Sequence, residues 1–405
     1  MLRYVLLMLV LVPSQSFAFE TGQNASLVLG HGDFESGGTI HDSATSGTLY
    51  SPDGLAFDGG GNLWVADTGF NRLLKFSPPF TMDQNASLVL GQGNFSSTSA
   101  VLSKTGLDQP YGIAFDKAGN MWVSDTNNNR IVEFTLPFRS GEPVSVVIGS
   151  PSFDKGVYPT SASSLAAPYG ILFDRDGNLW AVDYYDNRIL EYRPPFADRM
   201  NASLVIGQYD MTGNSGGTTQ NTLNLPSNIA FDGKGNLWVT DSLNNRVLEF
   251  DPPFHTAEGA SLVIGQKDFN ESLSGISNSS LNTPYGITFD ASGGLWVADG
   301  NNARVLRYAP PFTNGMPASV VLGQQTFEGM HMGTSANLLS EPYDVRVDNA
   351  GNLWVADTAN NRVLEFASAS APEFGSLAAA VFAVTMAVLL AVLKIRNSGT
   401  ISSIS

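Results

Sequence analysis

The stretch Pro110-Tyr111-Gly112-Ile113-Ala114-Phe115-Asp116, continued by Gly119-Asn120-Met121-Trp122-Val123-Ser124-Asp125 and Asn129-Arg130-Ile131-Val132-Glu133-Phe134, decides the fold. It holds three short apolar runs rich in β-branched and aromatic residues, each bounded by Gly, Asn, Asp or Pro. Such runs are strands separated by turns. The same string recurs in register around Trp64, Trp180, Trp238, Trp296 and Trp354, and these with Trp122 are the only tryptophans. Self-similarity at a fixed period identifies one unit repeated six times, which overrides the two or three domains that 405 residues would otherwise suggest. A fourth run of the Ser-Leu-Val-Ile-Gly kind follows each of the first five units, starting at Ser87, Ser145, Ser203, Ser261 and Ser319. Four short strands per unit, with no helical run between the termini, predict an all-β, six-bladed β-propeller.

The sixth unit, Asp344 to Phe366, has no such run after it, whereas one starts at Ser26, ahead of the first unit. The chain should therefore close on itself, with Ala25 to Gly30 pairing with Asn361 to Phe366. That strap removes a free sheet edge. The tryptophans are expected to wedge between adjacent blades as core. The arginines at Arg72, Arg130, Arg188, Arg246, Arg304 and Arg362 hold one repeat position. They are expected to form a structural ladder, each paired with an Asp of its own or a neighbouring blade. The Asp that opens each Asp-x-x-x-Asn-Arg turn, as at Asp125, is expected to accept backbone N–H bonds within that turn.

The formal net charge is -16, from 21 Lys+Arg against 37 Asp+Glu. Such a surface repels phosphate backbones, so no nucleic-acid partner is expected. The absence of cysteine excludes disulfides and thiolate metal sites. Residues 1–18 combine Arg3, an apolar run from Val5 to Val12 and a small-residue end at Ser16-Phe17-Ala18, which reads as a signal peptide. The propeller is assigned to 19–370. A second apolar stretch, Leu377 to Leu393, is followed by Lys394 and Arg396. Its length corresponds to roughly 25 Å of helix, enough for a transmembrane helix. The basic flank predicts a short cytoplasmic tail, 397–405, with the repeats on the extracellular face. Asn-x-Ser sequons at Asn24, Asn85, Asn94, Asn201, Asn270 and Asn278 suit an exported protein, though three of them belong to the repeat itself.

The string Pro-x-Gly-Ile-x-Phe-Asp, Gly-Asn-Leu-Trp-Val-Ala-Asp, Asn-Arg-Val-Leu-Glu-Phe resembles the NHL repeat, from about residue 49 to 366. The resemblance implies a six-bladed propeller. It implies little about activity, because NHL rings serve as protein scaffolds, RNA binders, sensors and amidating-type lyases. Pro372-Glu373-Phe374-Gly375, followed by the apolar stretch and basic residues, resembles the PEFG-type C-terminal sorting signals of archaeal surface proteins. It spans 371–396 and implies a membrane-anchored protein handled by a sortase-like enzyme.

The unit is longer than a usual NHL repeat, and the excess lies in the segment joining one blade to the next. That segment is pinned by an aromatic position (Phe34, Phe95, Phe153, Phe269, Phe327, with Met211 in one copy) and by Leu49, Leu107, Leu165, Leu223, Leu281 and Leu339. Between the pins the residues are polar and differ from blade to blade. Variable loops on one face of a rigid ring make a binding architecture.

The channel mouth is expected to be ringed by Asp53, Tyr111, Tyr169, Ser227, Tyr285 and Tyr343. The next position is Gly in four units but Asn228 and Asp344 in the others. Asp53, Asn228 and Asp344 supply oxygens that could hold calcium. The four histidines, His31, His41, His255 and His331, are not distributed around the axis, which disfavours a lyase built on a histidine-ligated metal. The sequence therefore predicts an exported, membrane-tethered interaction module whose partner is a surface protein or a glycan, with the mouth tyrosines suited to sugar stacking. The alternative is an extracellular metal-dependent lyase or hydrolase using the mouth.

Overall fold

The computed structural model describes residues 19–37, 43–149 and 159–368. Six four-stranded antiparallel sheets make up the structure. Blade one runs through Pro52–Phe57, Leu63–Asp67, Arg72–Phe76 and Leu88–Leu90, from the inner strand outward, and blades two to five follow the same order. The sixth sheet takes Pro342–Val347, Leu353–Asp357 and Arg362–Phe366 from the end of the propeller and Leu27–Leu29 from its beginning. Leu27 pairs with Glu365, Val28 with Leu364 and Leu29 with Val363, as the sequence requires for closure.

The second strand of each blade is buried on both faces; all five residues of Leu63–Asp67 are inaccessible, for instance. Both faces meet a neighbouring blade, so alternation of polar and apolar residues is absent there. The core is accordingly distributed over the contacts between blades. One cluster joins Trp180 and Ile206 of blade three to Leu237, Val239 and Phe250 of blade four.

Each tryptophan is buried. Its indole N–H is tied to the Asp of its own inner hairpin, as in Trp64 Nε1 to Asp58 and Trp354 Nε1 to Asp348, both 3.0 Å. In five of the six interfaces its ring meets the phenylalanine of the next blade's turn, Leu136-Pro137-Phe138 in blade two and Pro-Pro-Phe in the others, edge-on. Trp180 lies 5.0 Å from Phe254, Trp238 lies 4.9 Å from Phe312, and Trp354 closes the circle at 4.8 Å from Phe80. Edge-to-face pairs of this kind add to the cohesion supplied by burial alone.

The six arginines are fully buried. Each Nε lies 2.6–2.7 Å from the Asp five residues earlier, in Arg72–Asp67, Arg130–Asp125, Arg188–Asp183, Arg246–Asp241, Arg304–Asp299 and Arg362–Asp357. The remaining guanidinium donors reach loop carbonyls on both sides of the blade. Arg188 Nη1 donates to Met211 O at 2.6 Å, and Nη2 donates to Ser161 O at 2.9 Å and Ser164 O at 3.1 Å. One side chain thus fastens the joining loop that enters its blade and the one that leaves.

The expectation for the Asp-x-x-x-Asn-Arg turn is corrected. The five turns that form a single 3-10 turn have no side-chain cap from that Asp. The second carboxylate oxygen reaches back to the chain ahead of the inner strand, as in the Tyr50 N–H to Asp67 Oδ1 bond of 2.7 Å. The turn is closed by a residue in the left-handed region, Asn71 at φ 56° in blade one, which asparagine tolerates well.

The expected signal peptide (1–18), the PEFG segment and transmembrane helix (371–396) and the tail lie outside the described residues, as do His41 and Phe153. Among the described residues no helix is long and apolar enough to cross a membrane.

Candidate functional site

The described parts of the joining loops and the Asp-x-x-x-Asn-Arg turns lie at the end of the blades where the inner strands begin, which is the mouth of the channel. The residue just before each inner strand's proline is in the left-handed region, from Ser51 at φ 47° to Glu341 at φ 48°. In five of the six junctions its N–H is held by the Asn of the preceding blade's turn. Gln109 N–H donates to Asn71 Oδ1 at 2.8 Å, Leu225 to Asn187 at 2.7 Å, and Ser51 to Asn361 at 2.9 Å. Alanine stands at that position in blade five (Ala303), so the junction from blade five to blade six lacks the bond.

The mouth tyrosines converge. Tyr285 and Tyr343 stack at 4.0 Å with an interplanar angle of 14°, and Tyr111 and Tyr169 stack at 4.5 Å and 14°. Tyr111 meets Tyr343 at 6.3 Å, bridging the two pairs. The run continues outward, with Tyr169 on Tyr184 at 4.2 Å and 13°, then Tyr184 against Tyr185 at 5.1 Å. Six rings therefore form one continuous path from the axis to the surface, where Tyr185 is 63% exposed. Sequence reasoning missed Tyr184 and Tyr185. The signal was present: blades one, two, four and six have a hydroxyl residue at the position of Tyr184, and there it donates to the next blade's proline carbonyl, as Thr68 Oγ1 does to Pro110 O at 2.6 Å. Blade three gives up that bond for a stacked ring.

Beneath the tyrosines, Asn228 and Asp344 meet across the axis, with Asn228 Nδ2 donating to Asp344 Oδ1 at 3.1 Å. Arg346, which the sequence reading also overlooked, sits beside them with Nη1 3.0 Å from the same oxygen. Asp344 Oδ2 accepts the Leu55 N–H at 2.9 Å. These groups contact one another across the ring at this level. They also account for the glycines in the neighbouring units, since a Cβ at Gly170 would lie 2.6 Å from Asn228 Oδ1 and one at Gly286 2.7 Å from Asp344 Oδ1.

Asp53 does not join this network. It is 8% exposed, and Oδ1 has no hydrogen-bond partner. The Thr68 and Thr358 hydroxyls beside it are spent on the Pro110 and Pro52 carbonyls, 2.6 Å each. Burial pushes its carboxyl up to about 8, reinforced by the charge of Asp344. Burial also raises Asp344, to about 6, against the pull of Arg346. The Tyr111 hydroxyl, likewise buried and without a partner, is held well above its usual value by burial and by these two carboxylates. Asn228 and Asp344 are thus together, but Asp344 is already engaged by a guanidinium, an amide and backbone N–H groups. Of the three oxygen donors expected at the mouth, Asn228 and Asp344 are brought together and Asp53 stands apart from them. Among the described residues no group of three or more His, Cys, Asp and Glu is positioned to hold a metal ion. His255 lies near Glu258 at the opposite end of the blades, 3.8 Å away, and does not approach the mouth.

The NHL repeat family matches residues 339–366, the sixth unit. Among curated proteins, the chain is 25% identical over 231 residues to peptidyl-alpha-hydroxyglycine alpha-amidating lyase 1 of Drosophila melanogaster, covering 53% of this chain and 40% of that protein. The chain spans less than half the length of that relative. Among solved structures it is similar to an auxiliary nutrient binding protein from Bacteroides ovatus, at 13% identity over 86% of this chain and 77% of that one, with a TM-score of 0.56. It is also similar to a gluconolactonase from Xanthomonas campestris, at 12% identity over 87% and 99% of the two chains, with a TM-score of 0.50. At these identities the likeness establishes the fold alone. With six sheets closed by a strand from the beginning of the ring, the chain is a six-bladed β-propeller whose sixth unit, residues 339–366, matches the NHL repeat.

Proposed function

We propose that this protein is an exported cell-surface interaction module that binds its partner, another surface protein or a glycan, through the loop face and the tyrosine-lined mouth. The observation that carries this reading is the unbroken path of six tyrosine rings from Tyr285 to the exposed Tyr185. Tyrosine offers a rigid apolar face and a polar tip at low entropic cost, which suits recognition of proteins and of sugar rings alike. The joining loops around it, clamped by buried arginines, supply variable polar groups on a rigid frame. The ends of the sequence, read as a signal peptide and a C-terminal anchor, support display of the ring outside the cell. The test is a glycan array and an envelope-extract pull-down run with the wild-type protein and with joining loops exchanged between blades. Binding that survives every loop exchange and the loss of Tyr185 would end this proposal.

A second reading, an extracellular metal-dependent lyase or hydrolase, draws on the match to the amidating lyase. The group available for acid-base work is Asp53, a buried carboxyl that holds its proton at neutral pH. Elemental analysis of the purified protein separates the two readings. Stoichiometric calcium or a transition metal would favour the enzyme, and a metal-free ring that binds its partner would favour the module.

A further inference from the structure

A buried glutamine near the start of the joining segment fixes what the mouth face displays. Gln208 Nε2 donates to Asn187 O, in the turn of blade three, at 2.9 Å and to Ser215 O, farther along the segment, at 3.0 Å. Gln266 holds Asn245 O and Leu273 O, and Gln324 holds Ala303 O and His331 O, all at 2.9 Å. In blade one Gln92 holds Asn71 O and Ser99 O at the same distance. These carbonyls are turned inward to the glutamine, so the side chains around them are carried on a fixed frame.

What the frame displays changes from one half of the ring to the other. Nine large apolar side chains stand exposed among the described residues, and six of them belong to the turns and joining segments of blades three, four and five. Tyr185 and Leu243 hold the same place in the turns of blades three and four, where blades one, two and five have Gly69, Asn127 and Asn301. Tyr209 follows Gln208 directly, and Met330 and Met332 flank His331. Leu273, at the carbonyl held by Gln266, is 78% exposed, and blade one has Ser99 at that place. Turn and segment lie side by side. Asn245 Nδ2, in the turn that carries Leu243, donates to Ser272 O beside Leu273 at 2.9 Å. Asn187 Nδ2 likewise donates to Tyr185 O at 3.2 Å and to Asn214 O at 2.9 Å.

The same sector is acidic. Its joining segments, 207–225, 265–283 and 323–341, carry Asp210, Asp268, Glu271, Glu328 and Glu341 against Lys267, with His331 as the other group able to take a positive charge. The repeat arginines of these blades are buried against Asp183, Asp241 and Asp299. Exposed leucine and methionine offer neither a flat face to a sugar ring nor a hydrogen bond to its hydroxyls. A cluster of exposed apolar side chains marks contact with a protein or a membrane, and methionine adapts to protein surfaces of differing shape. The carboxylates repel an anionic lipid surface and the same sector of a second copy, and they attract a cationic segment.

We propose that this sector of the mouth face docks a basic amphipathic segment of a partner protein, its apolar side chains set among Tyr185, Leu243, Leu273 and the two methionines and its lysines or arginines against the surrounding carboxylates. The inference rests on the mouth face being the interaction surface, and it narrows the partner from protein or glycan to protein.

The test is titration of the full chain with a synthetic amphipathic peptide of lysine and leucine, read by fluorescence anisotropy. Two comparison peptides carry glutamate in place of the lysines or serine in place of the leucines. The lysine–leucine peptide should bind, and each comparison peptide should bind at least roughly tenfold more weakly. Leu273→Asn and Met330→Gln should each weaken its binding by roughly tenfold, the scale of side chains central to an interface. Glu328→Lys should weaken it by roughly fivefold, mainly through the association rate. Leu136→Asn, which removes an exposed leucine at the opposite end of the blades, should leave it unchanged. All four side chains are exposed, so the melting curves should match the wild type and report a folded ring. Equal binding of the three peptides, or an equal loss in Leu136→Asn, would overturn the proposal. So would capture of the chain by zwitterionic lipid vesicles that is lost in Leu273→Asn, which would put a membrane in place of the protein. A chain that ignores the peptide yet holds a glycan through Tyr185 would overturn this inference and leave the interaction-module reading in place.

Discussion

The ring of Phe19 meets the indole of Trp296 edge-on, at 4.8 Å and 76°. In the other five interfaces that place beside the tryptophan is filled by the phenylalanine of a Pro-Pro-Phe turn or, in blade two, of Leu136-Pro137-Phe138. Blade six has no such turn, and the beginning of the propeller supplies the missing ring as well as the missing strand. The strap is thus a displaced copy of the repeat's outer segment, from Phe19 through Leu29, and not merely an added β-strand. Phe19→Ala should destabilise the ring by about 2 kcal/mol, less than a fully buried phenylalanine would cost because this one is only partly covered. Phe254→Ala, at the equivalent place between blades three and four, should cost a similar amount. Removing residues 19–34 should abolish cooperative unfolding, since it strips the outer strand from blade six and bares the edge of Arg362–Phe366. Denaturant titrations followed by tryptophan fluorescence measure all three, and a deletion variant with an unaltered, cooperative transition would refute the closure argument.

The buried arginines make a sharper prediction, because each has charge and geometry to lose. Arg246→Met leaves Asp241 buried without its counter-charge and should cost roughly 3–5 kcal/mol. Arg246→Lys keeps the charge but not the fork that serves Asp241, Thr219 O and Thr222 O together, and should cost roughly 1–3 kcal/mol. If the unpaired carboxylate is the main penalty, adding Asp241→Leu to Arg246→Met should recover part of the loss. Urea midpoints for the three variants decide it. A double variant no more stable than Arg246→Met would mean that loop anchoring, and not the stranded charge, dominates.

Much of this was legible in the sequence because the repeat is its own control. The strand order, the closure by Ala25 to Gly30 and the pairing of each arginine with an aspartate follow from positions that do not vary. What the sequence left open lies where contacts join residues that no period relates. The Asn228–Asp344 bond spans two blades across the axis, and nothing in either unit alone announces the other. The departures were nevertheless visible as letters: Tyr184 where other blades have a small residue, Ala303 in place of asparagine, Arg346 among alanine, leucine and threonine. Their consequences needed the ring to be closed.

Asp53 should make the ring's stability fall as pH rises. Burial pushes its carboxyl up to about 8 in the folded protein from its ordinary value of 3.8. A group with a raised folded value binds its proton more tightly in the native state. Its contribution is therefore fully present below about pH 4 and is lost progressively up to about pH 8. Asp53→Asn removes the ionisation and keeps the shape. The variant should match the wild type in acid and exceed it in stability by a margin that widens up to about pH 8 and then levels off, worth on the order of 1.4 kcal/mol for each pH unit within the window. Denaturant midpoints at pH 5, 7 and 9 test this, and parallel curves for the two proteins would show that Asp53 is ionised at no cost in the folded ring.

The outer end of the tyrosine path can be cut without disturbing the fold. Tyr184→Thr restores the residue type that other blades use at this place, and its hydroxyl would be set to donate to the Pro226 carbonyl, as Thr126 does to Pro168 O at 2.8 Å. The regained hydrogen bond, worth roughly 1 kcal/mol, offsets the stacking lost with Tyr169, so stability should change by no more than about 1 kcal/mol. Binding at the mouth face should respond differently. The substitution interrupts the rings between Tyr169 and Tyr185 and removes the support against which Tyr185 rests. Recovery of the mouth-face partner, by glycan array or by pull-down, should fall at least roughly fivefold, on the scale of one aromatic contact in a binding site. Comparing Tyr184→Thr with Tyr185→Ala then separates the two roles of the path. Equal losses would mean that the exposed ring makes the contact and the one beneath it sets its position, whereas a loss in Tyr185→Ala alone would make the stacked rings mere packing.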